Sequence, residues 1–224
     1  MRAGRHAIFL YSTLAALFTF GVTDADAQDP VGVAKFAVDV RGAIPIYGQN
    51  EEVALGRNLS PLQLSSRGLG LDVGIHVYPI SWKAITFGVG VQAMVSRGEK
   101  APEVEVTPVD EDLEEILDLL VIRTTFATIA PQLSFNFGGV TGWSYISGGL
   151  GSSIFSVGPV EDERDDRRFS TINYGGGGRW FAKDHLAFAL DLRFYAISPQ
   201  PGTETEPPLP RMTLMVFSVG VSFK

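Results

Sequence analysis

Cysteine is absent from this 224-residue chain. No disulfide framework and no thiolate metal site can form. Charge is scarce as well: Asp, Glu, Lys and Arg make up 19% of the residues, below the usual quarter. Much of the surface is therefore predicted not to face water. The charge that exists is mostly negative, with 18 Lys+Arg against 25 Asp+Glu and a net −7. That balance excludes a nucleic-acid partner. No apolar run reaches the ~18–20 residues that a membrane-crossing helix needs. What is present is 45% hydrophobic residues, 11% aromatic residues and 25 glycines, which excludes disorder over most of the chain.

The first residues read as an address. Arg2, Arg5 and His6 form a basic start, an apolar run follows over 7–22, and Ala25-Asp26-Ala27 precedes Gln28. Basic, apolar and small-residue regions in that order are the layout of a secretory signal. The reading predicts a signal peptide over 1–27, cleaved before Gln28, and one domain over 28–224. No Cys follows the apolar run, so a lipoprotein anchor is not expected.

The rest of the chain alternates with period 2, the mark of strands with two unlike faces. In 185–197, Leu186, Phe188, Leu190, Leu192, Phe194 and Ala196 share one face, and Asp191 and Arg193 lie on the other. Segments 67–78, 84–97 and 211–223 repeat the pattern. Weaker versions lie at 33–44, 123–137, 143–156 and 169–181. Each of these eight strands has about 12 residues, twice the usual length in soluble proteins and enough to cross a bilayer at a tilt. The connections alternate too. Those at 79–83, 138–142 and 182–184 are short. Those at 45–66, 98–122, 157–168 and 198–210 are long. Outer-membrane barrels have this asymmetry, with short turns in the periplasm and long loops outside. All three tryptophans, Trp82, Trp143 and Trp180, fall at the short turns, as does Phe223 at the chain end. These four residues are predicted to form a periplasmic aromatic girdle.

Two segments carry a family resemblance. Residues 172–197 (INYGGGGRWFAKDHLAFALDLRFYAI) and 215–224 (MVFSVGVSFK) resemble the penultimate hairpin and terminal strand of the OmpA-like outer-membrane β-barrel family. The resemblance implies an eight-stranded antiparallel up-and-down transmembrane barrel in the outer membrane of a Gram-negative cell. It also implies a terminal strand read by the barrel-assembly machinery, although here Lys224 follows the final aromatic, Phe223.

On this register the interior receives Lys35, Asp39, Arg41, Asp72, Arg179, Asp191 and Arg193 as a charged network, with His76, Gln92, Gln132 and Asn136. Eight strands enclose just enough space for side chains. Buried charges must pair, so the lumen is predicted to be plugged. Gly175–Gly178 lacks the Gly-Lys-Ser/Thr ending of a phosphate loop and sits in a strand rather than before a helix. It is read as packing glycine. Pro131 is a difficulty, because proline cannot donate to a ladder and a closed barrel has no edge to host it. Either a bulge or a different strand boundary is expected there.

Catalysis is not expected. After the signal only His76 and His185 could serve as imidazole bases, and both fall at the short-turn end, a strand length from the outer leaflet. No metal and no cofactor is predicted. In the second long loop, Thr107-Pro108-Val109-Asp110 starts a helix, and Leu113, Ile116, Leu117 and Leu120 give it an apolar face over about 108–120. The acidic loops offer a surface to an extracellular partner. Arg164, Arg167 and Arg168 could touch lipopolysaccharide phosphates. The expected function is structural or surface-interactive: envelope integrity, adhesion or loop-mediated recognition. Two rivals are a narrow-channel porin and a secreted lipocalin-like barrel, the latter with its apolar face turned inward.

Overall fold

Alternating faces and tight turns let each strand hydrogen-bond to the next. A computed structural model describes residues 33–101, 121–160, 167–203 and 206–224. Its strands are β1 (Phe36–Ile46), β2 (Leu69–Trp82), β3 (Ile85–Lys100), β4 (Ile122–Gly139), β5 (Gly142–Pro159), β6 (Arg168–Lys183), β7 (Leu186–Ile197) and β8 (Met212–Phe223). They form a closed, all-antiparallel barrel in sequence order. β1 seals it by pairing with β8, from Val38 opposite Phe223 to Ile46 opposite Met215. The predicted signal peptide and the helix at 108–120 lie outside the described residues, as do 161–166 of the charged third loop.

Three connections are two-residue turns, at 83–84, 140–141 and 184–185. The strands thus run further into these turns than the sequence pattern suggests. Lys83 (φ 55°) supplies the left-handed backbone that the first of these turns needs. Pro131 requires neither a bulge nor a new boundary. β4 passes straight through it, and Pro131 pairs with Val91 of β3. On the β5 side the ladder stops between Ile129–Ser152 and Leu133–Gly148 and resumes in the same register. The missing donor falls in that gap, so no hydrogen bond is broken in a working ladder.

The apolar face turns outward. Leu71, Ile75, Val91, Leu133, Phe188 and Leu192 are exposed, while Asp191 and Arg193 are buried. A lipocalin-like arrangement, apolar inside and polar outside, is ruled out by this register. Along β3, outward Ile85 to Val95 carry no charge. At about 3.3 Å per residue and about 40° of tilt the band is ~25 Å high.

The interior is not uniformly polar. Its long-loop half is an apolar core of Phe126, Phe155, Phe169, Tyr195, Met94 and Leu214, closed from above by Tyr47, Val53, Ala54, Leu64 and Leu209. Apart from Leu209, which comes from the connection between β7 and β8, the lid comes from the first long loop, for which the sequence pattern suggests no structure. A short helix, α1 (Glu51–Leu55), is capped by Asn50, whose Oδ1 accepts from the Val53 N–H at 3.1 Å. A 3₁₀ turn at Pro61–Gln63 carries a capping box between Ser60 and Gln63. These caps satisfy the free backbone donors and fold the loop inward. Tyr47 donates its hydroxyl to Ser96 Oγ at 3.0 Å, and burial pushes its pKa up to about 12.

Phe126 is 1% exposed and meets Tyr195 edge-on at 5.3 Å. Phe126→Ala is expected to lower stability by about 3–5 kcal/mol, read from urea unfolding in micelles. Phe188→Ala, on the outward face, loses the transfer of the ring into detergent but leaves no enclosed cavity, so it should cost about 1–2 kcal/mol less than Phe126→Ala; a larger loss for Phe188→Ala would contradict the assigned facing.

Candidate functional site

Strand parity sends a small set of polar side chains to one level of the interior. Asp39 and Arg41 come from β1, Asp72 from β2, Gln92 from β3, Gln132 from β4, Tyr145 and Ser147 from β5, Asn173 and Arg179 from β6, and Asp191 and Arg193 from β7. All share the inward parity of their strands, which is why alternation brings them into one interior.

Three arginines meet three aspartates. Arg179 grips Asp39 with both arms of its fork, Nε to Oδ1 at 2.9 Å and Nη2 to Oδ2 at 2.5 Å. Arg41 Nη2 lies 3.0 Å from Asp72 Oδ2, and its Nη1 donates to the Tyr145 hydroxyl at 2.7 Å. That hydroxyl donates onward to Asp191 Oδ2 at 2.7 Å. Arg193 holds Asp191 through Nε and Nη2 at 3.2 and 3.1 Å. It also donates to Gln132 Oε1, Asn173 Oδ1 and Ser147 Oγ. Gln92 Nε2 donates to both oxygens of Asp72 at 2.8 and 2.9 Å. Charge is thus balanced inside, and each fork holds a carboxylate, while Arg41 Nε has no partner among the described residues. All three guanidinium groups are almost wholly buried, where an unpaired charge would cost several kcal/mol.

The glycines make room for this network. A Cβ on Gly177 would lie 2.8 Å from the Tyr145 hydroxyl oxygen, and one on Gly175 would lie 2.8 Å from the Arg193 Cα. On the other face Trp180 folds over Gly178, where a Cβ would meet its ring at 2.8 Å.

Two expected site residues fall elsewhere. Lys35 precedes β1 and is exposed; it lies beyond Val38–Phe223, where the wall closes, so it cannot join the interior. Trp143 is 3% exposed and faces inward. Its parity matches Tyr145 and Ser147, so its position at the end of a strand misleads. It packs edge-on to Tyr78 at 5.9 Å, stacks on Phe181 at 5.0 Å and lies 5.7 Å from the Arg179 guanidinium. With Ala37, Tyr78 and Tyr145 it closes the short-turn end of the lumen. Trp82, Trp180 and Phe223 do face outward, each at least 43% exposed. Asn173, Ser147 and Tyr145 were not assigned to the network by sequence; the parity of β5 and β6 is the signal that places them.

The site offers no open nucleophile–base pair. His76 Nδ1 lies 3.8 Å from Asp39 Oδ2, inside the wall, and that carboxylate is already held by Arg179. No group of three or more His, Asp or Glu suited to a metal ion occurs among the described residues.

No family model matches the chain, and no curated protein matches it in sequence. Solved structures do match. Neisserial surface protein A superposes with a TM-score of 0.50 at 13% identity, over 85% of this chain and 97% of that one. The attachment invasion locus protein Ail of Yersinia pestis, solved with the heparin analogue sucrose octasulfate, gives 0.44 at 10% identity, over 84% and 95%. At such identity the first of these establishes the small closed-barrel fold and nothing finer.

Removing one member of an enclosed pair leaves the other uncompensated. Asp39→Ala is expected to cost about 3–5 kcal/mol. Asp39→Leu combined with Arg179→Met should recover a substantial part of that loss. A double variant as unstable as the sum of the singles, in the same urea titration, would contradict the pairing.

Proposed function

We propose that the chain is an integral β-barrel of the outer membrane of a Gram-negative envelope, with a structural or surface-interaction role and no open channel. One observation carries this reading. The outward face is apolar and uncharged over a band ~25 Å high, while Arg41, Arg179 and Arg193 are enclosed. In water such a surface would far exceed the apolar patch that a soluble monomer tolerates. Against acyl chains it is the favoured arrangement. Trp82, Trp180 and Phe223 at the short-turn rim then sit at headgroup level, on the periplasmic side.

The closed-lumen part of the reading rests on three stacked layers. Tyr78 and Trp143 close the short-turn end, the arginine–aspartate network fills the middle, and Phe126, Phe155, Phe169 and Tyr195 fill the long-loop half under the α1 lid. A hydrated path would have to cross an apolar core several residues deep. An enzymatic role has no support here, since His76 is enclosed and His185 lies in a two-residue turn. On this reading the partners are outer-membrane lipid and lipopolysaccharide, the barrel-assembly machinery during biogenesis, and an extracellular molecule met by the acidic loops.

Two measurements test it. The full chain should fractionate with outer membranes, and its gel mobility in detergent should change on boiling. Purified barrel in planar bilayers should stay at the conductance of bare lipid. Release by a salt wash would overturn the membrane assignment. Discrete, reproducible ion steps would overturn the closed lumen and favour the narrow-channel porin.

A further inference from the structure

Below the long-loop rim the outer wall is grooved. The depression crosses β2 to β5, has a volume of about 380 Å³, and is lined by Leu69, Leu71, Val95, Ala127 and Ile154, with Arg97 at its upper end. Ala127, small among larger outward neighbours, makes it a depression.

Charge is distributed sharply around this groove. Between the rims no outward strand position among the described residues is charged. At the upper rim four are: Arg97, Glu99, Arg123 and Arg168. Glu99 pairs with Arg123 across β3 and β4. Its Oε1 accepts from Arg123 Nε at 3.0 Å and from Arg97 Nε at 3.0 Å, with a further contact from Arg97 Nη2. One carboxylate therefore fixes two guanidinium groups and neutralises one. Arg168 stands directly opposite Ile154, the floor of the groove, and is exposed. Arg67 adds a fourth cation beside Gly98. Among the described residues the groove thus ends under a net positive cluster, on a chain whose overall charge is −7. Arginine predominates here: the short-turn rim carries Lys35, Lys83, Lys183 and Lys224, whereas this rim presents Arg67, Arg97, Arg123 and Arg168 beside the single Lys100. Arginine forks bind phosphate with two parallel hydrogen bonds; lysine binds it as a point charge.

The geometry points to a binding site for the acylated, phosphorylated disaccharide lipid of the outer leaflet, the lipid A portion of lipopolysaccharide. One acyl chain lies against Leu71, Val95, Ala127 and Ile154, and the two phosphates at the ends of the disaccharide sit one on Arg97 of β3 and one on Arg168 of β6, three strands away. The inference rests on the membrane reading above, which places this rim at the outer-leaflet headgroups. A phospholipid with a single phosphate and no sugar would engage only one side of a cluster that spans β3 to β6. Glu99 serves to position Arg97, and substituting it would loosen the cluster rather than remove it.

The test uses the full mature barrel in phosphatidylcholine nanodiscs, titrated with diphosphoryl lipid A, with the same lipid stripped of both phosphates, and with phosphatidylglycerol. Native mass spectrometry of the released complexes reads stoichiometry and relative affinity. One diphosphoryl lipid A should be retained per barrel, about tenfold or more above each of the other two lipids. Arg97→Gln with Arg168→Gln should lose about tenfold or more of that preference. Arg97→Lys should lose part of it, because the charge stays and the fork is gone. Ala127→Trp fills the groove and should weaken all acylated ligands without changing their order. Undiminished binding by the double variant, or equal binding of all three lipids by the native chain, would overturn the site. Failure of the native chain to enter the discs would overturn the membrane reading itself, a result distinct from either.

Discussion

An enclosed set of three arginines and three aspartates, with the amides and hydroxyls they hold, fixes which way seven of the eight strands face. A strand has only two faces, and shifting its register by one residue exchanges them. If β7 slipped by one position, Asp191 and Arg193 would leave the interior and Leu190 and Leu192 would enter it. Arg41 would lose a carboxylate, and Tyr145 would lose its acceptor. The network reaches from β1 to β7 through hydrogen bonds between side chains far apart in sequence. It therefore acts as a register lock for nearly the whole barrel. The cost of enclosing ions is offset because each fork is matched by a carboxylate and most remaining donors by neutral amides and hydroxyls.

The barrel is built as layers of unlike chemistry. An aromatic cap sits at the short-turn end, an ionic layer follows, and an apolar core under a folded loop completes the long-loop end. The ionic layer gives direction and register. The apolar core gives non-directional stabilisation of the kind found in any domain interior. The same strands serve both because alternation is indifferent to what the inward side chain is. The lid over the apolar half explains why that half can be apolar at all: without Val53, Ala54 and Leu64 packed across it, Phe126 and Phe155 would meet water. The first long loop is in this sense part of the core rather than a surface appendage.

Period-2 patterning made the strands, their number and their outward face legible in the sequence, because the faces differ over long runs such as Leu186 to Ala196. The charged residues of the network were legible for the same reason, with the exception of Lys35, whose parity continues past the place where the wall closes. Trp143 was misplaced because its position along the strand was weighed above its parity. The apolar upper interior was not legible. Its members, such as Met94, Phe126 and Tyr195, read as interruptions in a polar face, and no local pattern says that a loop at 47–64, far from them in sequence, will cover them. Pro131 was legible as an anomaly and not as its solution, since the gap in the β4–β5 ladder depends on the backbone of Gly149 and Leu150 on another strand.

The facing of the wall can be read directly from two tryptophans at nearly the same level. Gly142 pairs with Trp180, and Trp143 pairs with Arg179, so Trp143 and Trp180 are neighbours that point to opposite sides of the barrel. In single-tryptophan variants reconstituted into lipid brominated near the top of its acyl chains, Trp180 fluorescence should be strongly quenched and Trp143 fluorescence should be spared. Equal quenching of both, or quenching of Trp143 alone, would contradict the claim that the apolar side chains meet lipid while the charged ones are enclosed.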